Sequence, residues 1–292
     1  MKNILVTGAS GQLGSEIKEL SLNYEGFNFF FEDSKGLDIT NATLVDDYIE
    51  NNDIKGVINC AGYTAVDKAE EDSEKAEKIN VFGVENLVNS IKSRGGKLIH
   101  ISTDYVFNGE SFLPYKEEDN IAPLGVYGNT KRRGEEVVES SSIEALIIRT
   151  SWVYSAYGNN FVKTMMRLGK EKESLNVVYD QIGTPTYARD LAKVCLQLIT
   201  LDRKIDRVSK IYHFSNEGVT SWYDFAKAIM EFGNISCVIN PIESKEYKTL
   251  AKRPHYSVLN KQKIKNDFTI EIPYWRDSLK ECLLKIKQEE MV

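Results

Sequence analysis

An apolar strand running straight into three evenly spaced glycines constrains this chain more than any other feature. Ile4-Leu5-Val6-Thr7 leads into Gly8-Ala9-Ser10-Gly11-Gln12-Leu13-Gly14, and Ser15-Glu16-Ile17-Lys18-Glu19-Leu20 follows in helical period. Gly8 allows a tight strand-to-helix turn, Gly11 lets the backbone approach a diphosphate, and Gly14 lets the helix lie close on the strand. The free amides at the helix N-terminus then face an anion. A glycine-rich turn can be only a turn, but an apolar strand before it and an amphipathic helix after it are the context a dinucleotide site requires.

The rest of the first half repeats the strand-helix alternation. Strands are predicted at residues 3–7, 27–32, 56–60, 97–102 and 145–149, with helices near 12–23, 41–51, 74–94 and 124–140. Such alternation specifies an α/β fold, a Rossmann-type doubly wound parallel sheet whose ligands lie at the carboxyl ends of the strands. After Trp152 the pattern loosens into loops and shorter elements, with one clear strand at Ile211-Tyr212-His213-Phe214 and a helix from about Ser221 to Phe232. The expected division is an NAD(P)-binding domain over 1–152, with elements near 185–230 returning to it, and a mainly substrate-binding region over 153–292. Repeats and low-complexity linkers are absent from the sequence.

A chain of 292 residues with a net charge of -6 can bury a large core and lacks the basic surface that phosphate neutralisation demands, so no nucleic-acid partner is expected. The longest apolar runs, such as Phe29-Phe30-Phe31 and Ala145-Leu146-Ile147-Ile148, are too short to cross a bilayer, and Met1-Lys2-Asn3 leaves no room for a signal peptide before the first strand. A cytoplasmic protein without a membrane partner is the expectation. Cys60, Cys195, Cys237 and Cys282 are scattered, and His100, His213 and His255 lie apart, so buried thiols are expected and neither a disulfide framework nor a metal site is.

Other motifs fall at predicted strand ends. Tyr127 and Lys131 are four apart, on one face of a helix. A cation there favours the phenolate, drawing the tyrosine pKa toward neutrality for acid-base work; the alternative is a half-exposed helix face. Ser102 and Thr103 end the neighbouring strand, where hydroxyls can hydrogen-bond a carbonyl oxygen beside a nicotinamide. Asp33 closes the second strand about twenty residues beyond the glycine turn, where a carboxylate accepts ribose hydroxyls and favours NAD; Lys35 close by suits a 2′-phosphate and NADP. Asp38-Ile39 opens the next loop, either against adenine or beside a helix capped by Thr40 or Asn41. Small residues in Cys60-Ala61-Gly62-Tyr63-Thr64 let backbone come near a cofactor ribose, or simply form a turn.

Taken together, the Gly8-Gly11-Gly14 spacing, the Ser102-Thr103 strand end and the Tyr127-Lys131 pair resemble the extended short-chain dehydrogenases/reductases. Longer strings narrow the resemblance to the dTDP-4-dehydrorhamnose reductase family: Tyr63-Thr64-Ala65-Val66-Asp67-Lys68-Ala69-Glu70, Ser102-Thr103-Asp104-Tyr105-Val106-Phe107, Arg149-Thr150-Ser151-Trp152-Val153-Tyr154, Gly158-Asn159-Asn160-Phe161 and Lys252-Arg253-Pro254. The likeness runs from the first strand to Trp275. It implies Thr103, Tyr127 and Lys131 as the catalytic set. Gly11-Gln12-Leu13, Asp33, Asp38-Ile39 and Gly62-Tyr63-Thr64 are then the cofactor lining, along with Gly8, Gly14, Tyr127 and Lys131. Thr103, Asp104, Tyr105 and Trp152 are implied to face the sugar nucleotide, and Arg253 its pyrophosphate. Trp152 read alone has the alternative of a core aromatic, but its place at a strand's carboxyl end favours stacking on sugar or base; Arg253 read alone is more often a surface charge.

Related sugar-nucleotide dehydratases resemble this strand end but carry a glutamate after the aspartate, as the base for elimination; here that position is Tyr105. The implied activity is reduction of an existing ketone by NADPH or NADH on a dTDP-sugar, the C4 ketone of dTDP-4-dehydro-6-deoxy-L-mannose. The alternatives are action on another nucleotide 4-keto sugar, as reductase or epimerase, and a non-catalytic regulatory subunit of the same fold. A homodimer is one assembly the sequence allows.

Overall fold

The computed structural model describes residues 1–202 and 210–289. Strand β1 (Lys2–Thr7) enters the glycine turn and helix α1 (Gln12–Leu20) follows; then come β2 (Phe27–Glu32), α2 (Ala42–Asn51) and β3 (Ile54–Asn59). Three short helical pieces, α3 (Val66–Glu71), α4 (Ser73–Glu77) and α5 (Gly83–Ser93), are joined through a π-helical turn at Lys78–Phe82; β4 (Lys97–Thr103), α6 (Val126–Ser140) and β5 (Glu144–Thr150) complete the first half.

All five predicted strands are present, with β3 starting two residues early because Ile54 is fully buried against the sheet's helical cover. The single helix predicted over 74–94 is in fact α4, the π-turn and α5, and α3 precedes it unpredicted. Its six residues are too few to display a helical period.

Alternate side chains of β1 explain the doubly wound form. Ile4 and Val6 join a core with Leu13 and Ile17 of α1, while Leu5 joins the opposite core with Val45 and Ile49 of α2 and Leu87 of α5. A strand buried on both faces reads as continuously apolar, which is what parallel sheets need.

The second half is more regular than its sequence suggests. In order it contains β6 (Val153–Tyr154), α7 (Phe161–Glu171), β7 (Ser174–Val178), β8 (Ile182–Gly183), β9 (Thr186–Tyr187), α8 (Ala188–Thr200), β10 (Lys210–His213), β11 (Thr220–Ser221), α9 (Trp222–Gly233), β12 (Val238–Ile242), α10 (Gln262–Phe268) and α11 (Trp275–Glu289). The expectation of loops and short elements is corrected here: α7, α8 and α11 are full helices, and α7, α9 and α11 share a core built from Val162, Met166, Phe225, Ile229, Leu279 and Leu283.

The predicted strand near 211–214 and helix near 221–232 are β10 and α9. Of the span 185–230, residues 203–209 lie outside the described residues.

The main sheet runs β10-β5-β4-β3-β1-β2, parallel at each pairing. From β1 the chain moves outward to β2 and then returns to β3 on the other side. That reversal opens a crevice above the carboxyl ends of β1 and β3, the position where this architecture binds ligands. Helix α8 packs on α1, so the second half contributes a helix to one face of the sheet as well as β10 to its edge.

All four cysteines are free, but only Cys195 and Cys282 are buried; Cys60 and Cys237 are half-buried, which corrects the expectation of four buried thiols. Among the described residues no helix is long and apolar enough to cross a membrane.

Candidate active site

A crevice of about 680 Å³ lies above these strand ends. The turn after β1 forms its floor. Gly8 has φ +62°, and a Cβ there would come within 2.7 Å of Ala61 N and 2.8 Å of the Cys60 carbonyl, so the turn and the β3 end can touch only with glycine. A Cβ at Gly14 would lie 2.5 Å from Gly8 O, which is why α1 packs so close. Gly11 caps α1 without any side-chain hydrogen bond, leaving the first-turn amides free for an anion.

At the end of β2, Asp33 Oδ1 accepts from Lys35 N (2.9 Å) and Gly36 N (3.4 Å). These amides, with the Lys35 charge behind them, hold the carboxyl below its ordinary pKa. Asp38 is likewise tied down, accepting from Thr40 N and Thr40 Oγ1, and its pKa is lowered by those bonds. Asn41, not Thr40, caps α2, through a bond from Leu44 N. Asp38 stabilises a turn beside the cap, and with Ile39 it lines the crevice.

Helix α6 brings up the acid-base pair. Glu135 and Arg149, both fully buried, form a two-pronged ion pair at 2.8 and 2.7 Å that fastens α6 to β5. Tyr127, Lys131 and Glu135 are spaced by four, so the residue that anchors the helix shares its face with the two that line the crevice. Lys131 is buried; its Nζ donates to Ile101 O at 2.6 Å, and burial lowers its pKa to about 8, with Glu135 opposing the drop. Gly62 stands opposite, where a Cβ would be 3.9 Å from that Nζ.

The phenol does not follow the sequence expectation. Burial pushes the Tyr127 pKa well above 10, partly offset by a hydrogen bond shared with Thr103, and Lys131 does not draw it toward neutrality. The lysine's charge is instead committed toward the β4 carbonyl.

Thr103, at the end of β4, donates through Oγ1 to Asp104 Oδ1 (3.0 Å) and accepts from Tyr105 N (3.2 Å). Burial raises the Asp104 pKa to about 6, opposed by its hydrogen bonds. The Tyr105 ring meets Tyr127 edge-on at 5.4 Å, and burial raises its pKa also. Trp152, just past β5, has φ 47° and stacks on Trp222 with centroids 3.7 Å apart. A non-glycine residue in that region costs of order 1 kcal/mol or more, and such outliers cluster at ligand sites. Trp152 is half-buried: its ring packs on Trp222 and the residue also lines the crevice.

The crevice thus gathers Gly8, Gly11, Gln12, Leu13, Asp33, Asp38, Ile39, Gly62, Thr64, Thr103, Asp104, Tyr105, Tyr127, Lys131 and Trp152. Gly14, Tyr63 and Arg253 do not line it. Gly14 acts beneath the turn. Tyr63 faces Asn80, which receives Tyr63 N (2.8 Å) and donates to Tyr63 O (3.2 Å) and Thr130 Oγ1 (3.1 Å). Arg253 donates instead to Tyr105 OH and Asp67.

Sequence reasoning missed Asn80, which sits in the π-turn and staples the β3 loop to α6, and it gave no role to Asn160, which bridges Gln12 Oε1 (3.0 Å) and Ser155 O (2.7 Å). π-turns have no sequence signature in a single chain, although they often mark functional sites. Asn160 carried a readable signal, since an asparagine directly before an apolar helical run is a cap, and it does cap α7.

Comparison with known proteins agrees with this geometry. Residues 1–288 match the family model described as the RmlD substrate binding domain. A dTDP-4-dehydrorhamnose reductase of Aggregatibacter actinomycetemcomitans is 42% identical, over 96% of this chain and 98% of that one. The crystal structure of a dTDP-4-dehydrorhamnose reductase from Clostridium acetobutylicum superposes with a TM-score of 0.92 at 41% identity, covering 98% of this chain and 99% of that one. One from Bacillus anthracis, in complex with NADP, gives a TM-score of 0.92 at 40% identity, covering 98% and 100%.

Proposed function

This chain belongs to the RmlD substrate-binding-domain family, and from that premise we propose that it uses NADPH to reduce the C4 ketone of dTDP-4-dehydro-6-deoxy-L-mannose, giving dTDP-L-rhamnose. The observation that carries the reading is the meeting of Thr103, Tyr127 and Lys131 in one crevice with the glycine turn after β1. Residues 1–152 supply the cofactor side, joined by elements of 185–230, and residues 153–292 mainly the sugar-nucleotide side.

The uncapped α1 N-terminus and the Gly8 approach to Ala61 fit a dinucleotide diphosphate. Gln12, Leu13, Asp33, Asp38, Ile39, Gly62 and Thr64 line its path. The hydride for the ketone carbon would come from a reduced nicotinamide bound along these residues. Tyr127, its proton retained at neutral pH because burial disfavours the phenolate, gives that proton to the developing alkoxide. Lys131 spends one of its three donors on Ile101 O, leaving two for ribose hydroxyls. Thr103 has a single hydroxyl proton, which it gives to Asp104 here, so it reaches a ketone oxygen by turning away from that carboxylate.

Elimination is disfavoured at this site. Tyr105 stands where a dehydratase-like base belongs, and its raised pKa keeps it a neutral phenol. Trp152 offers a ring face for the sugar or base, and Arg253 a guanidinium for the nucleotide diphosphate. A cytoplasmic setting accompanies the proposal, and four unpaired cysteines suit it.

The test is to incubate the protein with dTDP-4-keto-6-deoxyglucose, a 3,5-epimerase and either NADPH or NADH while following reduced-nicotinamide absorbance. Oxidation that requires the epimerase is expected. Oxidation without the epimerase would assign another 4-keto sugar, and none under any combination would favour a non-catalytic subunit.

A further inference from the structure

Arg253 lies outside the crevice wall, and what holds it there is a residue with no assigned role. Asp67, in α3, accepts from Arg253 Nη2 at 2.7 Å through Oδ2 and from Ala251 N at 3.1 Å through Oδ1. Its two oxygens thus tie down both the guanidinium and the chain that carries it. A few residues on, Tyr256 N donates to Gly109 O, so the segment bearing Arg253 is fixed at both ends. The other arm of the fork, Nη1, donates to Tyr105 OH at 3.2 Å, and Tyr105 meets Tyr127 edge-on. Val66, beside Asp67, and Tyr105 both line the crevice, so Arg253 is held just outside it, tied to Tyr105 and to the neighbour of Val66.

We propose that Asp67 is a positioning residue for the sugar-nucleotide diphosphate, presetting Arg253 at the mouth of the crevice; the inference rests on the reading of Arg253 as the diphosphate contact. A guanidinium has five N–H donors. Asp67 and Tyr105 engage two of them, so three remain for an anion and neither partner has to leave. The carboxylate's own repulsion of a diphosphate is weak at a half-exposed, screened position. Holding a long side chain and its loop in place before binding removes an ordering cost that the ligand would otherwise bear. Preorganisation therefore outweighs repulsion.

The experiment is a double-mutant cycle on the NADPH-loaded protein, with dTDP as the titrant in a calorimeter. Asp67→Ala is expected to weaken dTDP about three- to tenfold, to raise KM for the keto sugar with little change in kcat, and to leave NADPH affinity unchanged. In an Arg253→Ala background the same substitution is expected to add nothing. Asp67→Asn, which keeps an acceptor for Ala251 N, serves as the second variant if Asp67→Ala folds poorly, with an intermediate loss expected. Wild-type dTDP affinity in Asp67→Ala, tighter binding, or a loss that persists undiminished without Arg253 would each overturn the inference. Should wild-type protein bind no dTDP, the diphosphate reading itself falls, and this inference with it; should it bind dTDP with no change in Asp67→Ala, only the inference falls.

Discussion

Above β1 and β3 the crevice wall is largely main chain: a turn at Gly8, uncapped amides in the first turn after Gly11, and backbone at Cys60 and Ala61 packed too closely for any Cβ at Gly8. Above β4 and β5 it is side chains from separated segments, with Asp104 and Tyr105 after β4 and Trp152 after β5, and Arg253, about a hundred residues later, reaching Tyr105 from outside. The first wall is shaped by local backbone sterics and is already in place for a ligand that varies little. The second is held by contacts between distant segments, such as Trp152 on Trp222 and Tyr105 on Arg253. Precision on that side depends on the fold of the whole second half, and in the proposed assignment substrate choice can change there without disturbing the glycine-turn floor.

The largest expected effect falls where the two walls meet. Tyr127→Phe removes one hydroxyl and little volume, and turnover is expected to fall roughly a hundred- to ten-thousand-fold, with NADPH and dTDP affinities kept. Steady-state kinetics beside direct titration checks this, and a near-native kcat would remove Tyr127 from the proton-donor role.

The next effect separates the walls. Trp152→Ala should weaken the sugar nucleotide by about 1–3 kcal/mol while leaving NADPH binding nearly unchanged. Because Trp152 also stacks on Trp222, the melting temperature is expected to fall as well. Equal loss of both ligands would mean that the two sides are not separable.

A smaller effect probes the cofactor wall alone. Asp33→Asn keeps an acceptor for the Lys35 and Gly36 amides and removes the negative charge. It is expected to shift preference from NADH toward NADPH by up to about fivefold, the scale of one exposed charge interaction. An unchanged ratio of the two kcat/KM values would show that Asp33 does not read the ribose.

The same contrast explains what the sequence could reveal. The floor was legible because strand, turn glycines and helix are contiguous, and Tyr127 and Lys131 because a spacing of four fixes a helix face. Tertiary links left no such trace. The Glu135–Arg149 pair that seats α6, and Asn80 in its π-turn, join residues whose separation carries no period. Lys131 was legible as a crevice residue but not in its effect, since that depends on where Nζ points, and it points to Ile101 O. The second half looked irregular because α7, α9 and α11 bury their apolar stripes against one another, beyond the reach of any local alternation of strand and helix.

The central claim is that this crevice moves a hydride from the nicotinamide to the ketone carbon while Tyr127 supplies the proton. The most direct measurement uses NADPH deuterated at nicotinamide C4, on the face that is transferred, followed by mass and NMR analysis of the sugar nucleotide formed. A single deuterium on the sugar C4, formed by wild-type protein and nearly lost with Tyr127→Phe, is the result the account predicts. An unlabelled sugar, a label at another carbon, or equal labelling rates in the two proteins would contradict it.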